Sequence, residues 1–198
     1  MIFKTHKILK MKHLFLLLLL VIGTTACKDN TKSTSKTEQQ KSSIESSEEA
    51  SMDPQELKVV LTKTQPSTEA ELREAFPKSI NGLPIDKEVS IVKQQAYGTY
   101  GRDVMELTIY DCAGTNSGMA GLFFTTYTNK AQNDDQTRYT YKKRNGIKTI
   151  STYKTDKNQS TIIFLYRNRW YVALKAENMN PDELWNAFDI SILKNFKN

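Results

Sequence analysis

Histidine stops at position 13. The 198-residue chain has two, His6 and His13, and none follows them. Everything downstream therefore lacks histidine general acid–base catalysis, Ser-His or Cys-His nucleophile activation, and imidazole ligation of a metal or haem. Cysteine is as scarce: Cys27 and Cys112 are the two in the chain, too few for a disulfide framework or a Cys-rich metal site. No GxSxG, P-loop, GxGxxG, HExxH, EF-hand or CxxCH pattern occurs. Long apolar runs are missing too. The run Leu14–Ile22 is about half of the ~20 residues that span a bilayer.

The setting of that run explains it. Lys4, Lys7, Lys10 and Lys12 precede it with no acid, and Gly23, Thr24, Thr25 and Ala26 follow. This is the layout of a secretory signal peptide rather than of a transmembrane anchor. Thr24-Thr25-Ala26-Cys27 resembles the lipobox of bacterial lipoproteins, with Thr24 where leucine is more usual, a looseness found among Bacteroidota members. The resemblance implies cleavage between Ala26 and Cys27, a diacylglycerol on the Cys27 thiol and an acylated new amino terminus. Acyl chains partition into lipid at ~0.8 kcal/mol per buried CH₂, and stable anchoring takes more than one chain. Lys28-Asp29 is similar to the Lys-then-acid signal that sends some of these lipoproteins to the outer face of the outer membrane, and Asn30 departs from its fuller acidic version. The membrane is thus the first expected partner, the cell envelope the expected location, and no cofactor is implied beyond the lipid on Cys27.

Cleavage there changes the charge balance. The whole chain carries 28 basic and 22 acidic residues, net +6. Residues 1–26 hold four lysines and no acid, so residues 27–198 carry 24 basic against 22 acidic, net +2. The sequence pI of about 9.1 therefore belongs largely to the leader, and no nucleic-acid partner is expected. Residues 27–52 continue from Cys27 into Ser, Thr, Lys, Glu and Gln, with Ile44 almost the only large apolar residue. Such a composition cannot bury enough surface to fold. Treated as a coil it is a tether with an rms reach of roughly 25–30 Å.

From Asp53 to Asn198 hydrophobicity becomes periodic, and one domain is expected. Asp53 and Pro54 suit a helix start over 53–63, although Leu57, Val59 and Leu61 also alternate as a strand would. Thr68 and Glu71 form a capping-box pattern ahead of Leu72 and Phe76, and Pro77 stops that helix. "EVSIVKQQAYGTY" and "DVMELTIYD" read as two strands joined at Gly101-Arg102. "SGMAGLFFTTYTNKA" reads as a helix capped by Ser117, with Ala120, Phe123, Phe124 and Tyr127 on one face. A meander follows: "TRYTYKKR", a turn at Asn145-Gly146, "IKTISTYK", "STIIFLYR" and "RWYVALKA". Asn180 and Pro181 open a closing helix with Trp185, Phe188, Ile192 and Phe196 along one face. The pattern predicts an α+β domain: an antiparallel sheet of about six strands with helices on one face. A curved half-barrel around a helix is the alternative.

Two sets of residues bear on function. The acids Asp103, Glu106 and Asp111 are the nearest thing to a carboxylate pair. Glu106 and Asp111 differ by an odd number, which turns them to opposite sides of a strand, and all three read as solvated surface acids. In the meander, aromatic and basic residues interleave. Tyr139, Tyr141, Lys142, Arg144 and Tyr171 are the candidate ligand contacts, because rings can stack on sugars or bases while cations hold anionic groups. The same residue types also decorate ordinary solvated strands. Trp170 alternates with Val172 and Leu174 and is expected in the core, and Cys112 is expected to be a buried, inert thiol. The function expected is non-catalytic binding or an accessory role for an envelope protein, polysaccharide or lipid. A carboxylate-dependent hydrolase and an assembly partner of an outer-membrane complex are the alternatives. Cys27→Ser should abolish acyl labelling and release the protein from membranes on fractionation; a variant that stays membrane-bound would contradict the reading of the leader.

Overall fold

A computed structural model describes residues 52–198. The leader, Cys27 and the tether up to residue 51 lie outside the described residues. At its start, the Asp53 carboxylate accepts from the Gln55 and Glu56 N–H groups at 2.8 and 3.4 Å and Pro54 takes the first turn. This capping settles the ambiguity of 53–63 in favour of helix α1 (Pro54–Lys63), with Leu57 and Leu61 buried one turn apart. Helix α2 (Glu69–Ala75) has the predicted capping box between Thr68 and Glu71.

A two-residue hairpin follows, β1 (Ser79–Ile80) and β2 (Leu83–Pro84), turning at Asn81-Gly82. The single strand read in "EVSIVKQQAYGTY" is two: β3 (Ser90–Val92) folds back on β4 (Gln95–Tyr100). The break falls at Lys93, whose φ of +56° makes a turn there. Strand β5 (Met105–Asp111) returns after Gly101, Arg102 and Asp103, all at positive φ. The turn is held from below: the Asp86 carboxylate accepts from the Arg102 and Asp103 N–H groups at 2.6 and 2.9 Å. Those two bonds hold the Asp86 carboxyl below its ordinary range.

A 3-10 turn (Gly114–Asn116) runs straight into helix α3 (Gly118–Asn129). Ser117 is therefore already helical and does not cap α3 with its side chain, contrary to expectation; its hydroxyl shares a 2.9 Å hydrogen bond with Thr62 of α1. The meander forms as read: β6 (Thr137–Arg144), β7 (Ile147–Lys154), β8 (Gln159–Tyr166) and β9 (Trp170–Glu177). Asn145 and Gly146 both take positive φ, as a two-residue hairpin turn requires. The closing helix is shorter than predicted. Helix α4 (Pro181–Asn186) ends, and a 3-10 turn (Ile190–Leu193) begins because the Asp189 carboxylate captures the Ser191 N–H at 2.9 Å. The interruption rotates the tail, so that Leu193 and Phe196 are buried beside Trp185 and Phe188 while Ile192 is only half-buried.

The fold is α+β. Among the described residues, seven strands form one open antiparallel sheet in the order β3-β4-β5-β9-β8-β7-β6, and no barrel closes. The last strand, β9, is zipped between β5 and β8. Helical cover lies over the larger core: Leu72 and Phe76 of the α2 region and Leu184, Trp185, Phe188 and Phe196 of the tail pack on Leu107, Ile109, Ile162, Phe164, Val172 and Leu174. Part of the other face is covered too, where Leu57 and Leu61 of α1 and Ala120 and Phe123 of α3 meet Ile150, Leu165 and Cys112. The alternation along β8 shows why two cores exist: Ile162 and Phe164 serve the first, Ile163 and Leu165 the second. Cys112 is fully buried, and burial pushes its thiol up to about 12. Trp170 lies in the core against Phe196, with ring centroids 4.9 Å apart.

A close approach to the sheet occurs at Gly98 of β4, under Phe76 at the end of α2. A Cβ there would stand 2.8 Å from Phe76 Cε1 and 3.0 Å from Ile85 Cδ1. Gly98→Ala should lose about 1–3 kcal/mol by overpacking, read from urea unfolding; an unchanged midpoint would show that Phe76 does not press on this strand.

Candidate functional site: a cleft beside a buried ion pair

Asp111 ends β5 and Arg169 leads into β9, and the register of the two strands sets Asp111 opposite Trp170. Arg169 Nε donates to Asp111 Oδ1 and Nη2 to Oδ2, each at 2.8 Å. Two backbone donors complete the carboxylate: Ser67 N–H to Oδ2 at 2.8 Å and Ala113 N–H to Oδ1 at 3.0 Å. Nη2 also donates to the Gln65 carbonyl and the Ser67 hydroxyl, both at 3.2 Å. The guanidinium lies over the Trp170 ring, 4.7 Å from its centroid. Burial works against the Asp111 charge, but the Arg169 hydrogen bond and the Ser67 and Ala113 N–H groups outweigh it and hold the carboxyl below its ordinary value. One fork-to-fork contact thus ties two strands to the loop between α1 and α2.

A cleft of about 510 Å³ opens beside this pair, within the usual range for a ligand site. It is lined by Ser67 and by Glu71 and Glu74 of α2 on one side, by Arg169 and Trp170 on the floor, and by the tail around Asn195. Two donors of the lining residues lack partners. Arg169 Nη1 makes no hydrogen bond among the described residues, and the Trp170 indole N–H is buried without a partner. The Glu71 carboxylate takes the Thr68 N–H at 2.7 Å and hydroxyl at 2.9 Å, which holds its carboxyl down and keeps it an acceptor. The walls therefore offer both donors and acceptors to a polar guest.

The five contacts read from the sequence do not form one patch. Lys142 and Arg144 point to the α4 side, where both meet Asp182 Oδ1, at 2.6 and 2.8 Å. Arg144 is buried there, donating also to the Thr149 and Ser151 hydroxyls. Tyr141 packs on the α3 side, edge-on to Tyr127, and its hydroxyl accepts from the Ala131 N–H at 2.7 Å. Tyr139 follows the alternation of Tyr141 and shares its side of β6. Tyr171 is half-buried, edge-on to Tyr110, on β9, three strands away from β6. Strand alternation splits Tyr139 and Tyr141 from Lys142 and Arg144, so these four do not converge.

Asp111 was expected on the surface with Asp103 and Glu106, and that expectation is corrected: it is fully buried and paired. The signal was present. Asp111 falls in register with Met105, Leu107 and Ile109 on the apolar side of β5, and a charge in a core register must find a partner. Glu106 faces the other way, as the odd spacing predicts, and pairs with Lys175 at 2.6 Å. Arg169 was hidden because it sits in the turn before β9, where alternation no longer governs it.

No family model matches the chain, and no curated protein or solved structure does.

Asp111→Asn should cost about 3–5 kcal/mol by leaving the Arg169 charge buried and unbalanced. The folded carboxyl titrates below its unfolded value of about 3.9, so its stabilisation is complete above that pH and drains away as pH falls through the folded value. Urea midpoints between neutral and acid pH should show this slope in the native chain and lose its Asp111 component in the variant; parallel profiles would contradict the assignment.

Proposed function

We propose that the protein is a lipoprotein of the cell envelope, anchored through Cys27 in the outer membrane and exposed at its surface, whose domain binds an envelope component without transforming it. The observation that carries the binding reading is the cleft lined by Arg169, whose Nη1 makes no hydrogen bond among the described residues, and by the acids Glu71 and Glu74. Its mixture of donors and acceptors suits a polar guest, so a segment of polysaccharide fits better than an acyl chain. Three features of the chain support binding rather than catalysis. No imidazole lies beyond residue 13. The Cys112 thiol is buried and protonated at neutral pH. Asp111, buried behind Arg169, is engaged in the ion pair, which holds its carboxyl below the ordinary value and leaves it no proton to give.

The test is site-specific photocrosslinking of the full chain in intact cells. A crosslinker at Asn195, exposed at the cleft, should capture one enriched glycan or protein. The same group at Lys157, exposed in the β7–β8 turn, should not. Equal labelling from both positions, or none from Asn195, would count against the cleft as the binding seat.

A further inference from the structure

Between Thr137 and Lys154 the β6–β7 hairpin carries six basic residues and no acid. On the α4 side Asp182 forms ion pairs with both Lys142 and Arg144. On the opposite side nothing equivalent occurs. Lys143 and Lys148 stand directly across from each other, next to the Asn145-Gly146 turn, and like charges in that position repel. Neither belongs to an ion pair among the described residues. The Lys148 ammonium lies over the half-buried rings of Phe124 and Tyr127 instead, at 5.3 and 5.7 Å from their centroids. The acids of the preceding loop, Asp134 and Asp135, are at the far end of β6, where the Asp134 carboxylate accepts from the Gln136 and Thr137 N–H groups. The hairpin tip is thus a pair of uncompensated cations set beside aromatic rings.

The place of this tip in the domain suggests what compensates it. Helices α1 and α3 cover the face of the sheet to which Lys143 and Lys148 point. Helix α1, which begins at Pro54 just after the expected tether, belongs to the helical cover of that same face. We propose that the Lys143–Lys148 tip docks on anionic lipid headgroups of the membrane that holds the chain, an inference that rests on the anchorage read at Cys27. A phosphate between the two ammonium groups turns their repulsion into attraction. The negative surface potential of such a membrane acts within a Debye length, so docking weakens as salt rises. Phe124, Tyr127 and Tyr141 then sit at headgroup depth, where amphipathic rings are favoured.

The experiment uses the full lipidated chain in nanodiscs of phosphatidylcholine alone or with phosphatidylglycerol, read by amide exchange. In anionic discs the β6–β7 tip, residues 141–148, should gain several-fold protection that fades at high salt. Lys143→Glu should abolish that gain. The same substitution converts the like-charge pair into an opposite-charge one, so it should also raise the Tm, by about one to four degrees. A variant that is folded, no less stable and no longer protected separates lipid contact from a structural role. Equal protection in neutral and anionic discs, or full protection in the variant, would overturn the proposal and favour another occupant, an acidic protein above all. A chain that fails to stay with discs of either kind would refute the anchorage itself, and the docking with it.

Discussion

The Asp111–Arg169 contact is the constraint on which the rest of the domain depends. A carboxylate without solvent exposure is unfavourable unless its lone pairs are filled and its charge matched. Here four donors from three separate parts of the chain do so. The requirement fixes the end of β5 against the start of β9, and it fixes the α1–α2 loop against both. It also seats the guanidinium on Trp170, whose ring is wedged by Phe196 from the tail. The cleft exists because these pieces meet around a polar centre that apolar packing cannot close.

The same sheet uses its two faces differently. The side under α2 and the tail is a continuous apolar core. The other is apolar only beneath α1 and α3, and beyond them it presents Tyr97, Tyr110, Tyr171 and the Glu106–Lys175 pair, all half-buried. Docking through the proposed Lys143–Lys148 tip would turn this second side toward the membrane. The cleft, framed by α2 and the tail, belongs to the first side. In the proposed reading, anchorage and ligand capture are therefore divided between the two faces.

Much of this architecture was legible in local chemistry. Capping residues at Asp53, Thr68 and Asn180, the Asn145-Gly146 turn and the alternation of β5 and β9 all act within a few residues, and each forms where it was read. What escaped depends on distance in the chain. The closing helix breaks because Asp189 recaptures a backbone N–H and lets Phe196 reach Trp170. The candidate contacts of the meander share a stretch of sequence but not a face. Arg169 could not be singled out locally because its partner lies 58 residues earlier. Only the apolar register of β5 hinted that Asp111 was a core position.

The most direct test of the account is the coupling energy between Asp111 and Arg169. It is obtained from a double-mutant cycle of Asp111→Asn and Arg169→Leu, with stability measured by urea unfolding. If the pair organises this end of the sheet, the double variant should recover about 2–3 kcal/mol relative to the sum of the two single losses. Effects that add to within about 0.5 kcal/mol would mean that the two residues act separately, and that the cleft does not depend on their contact.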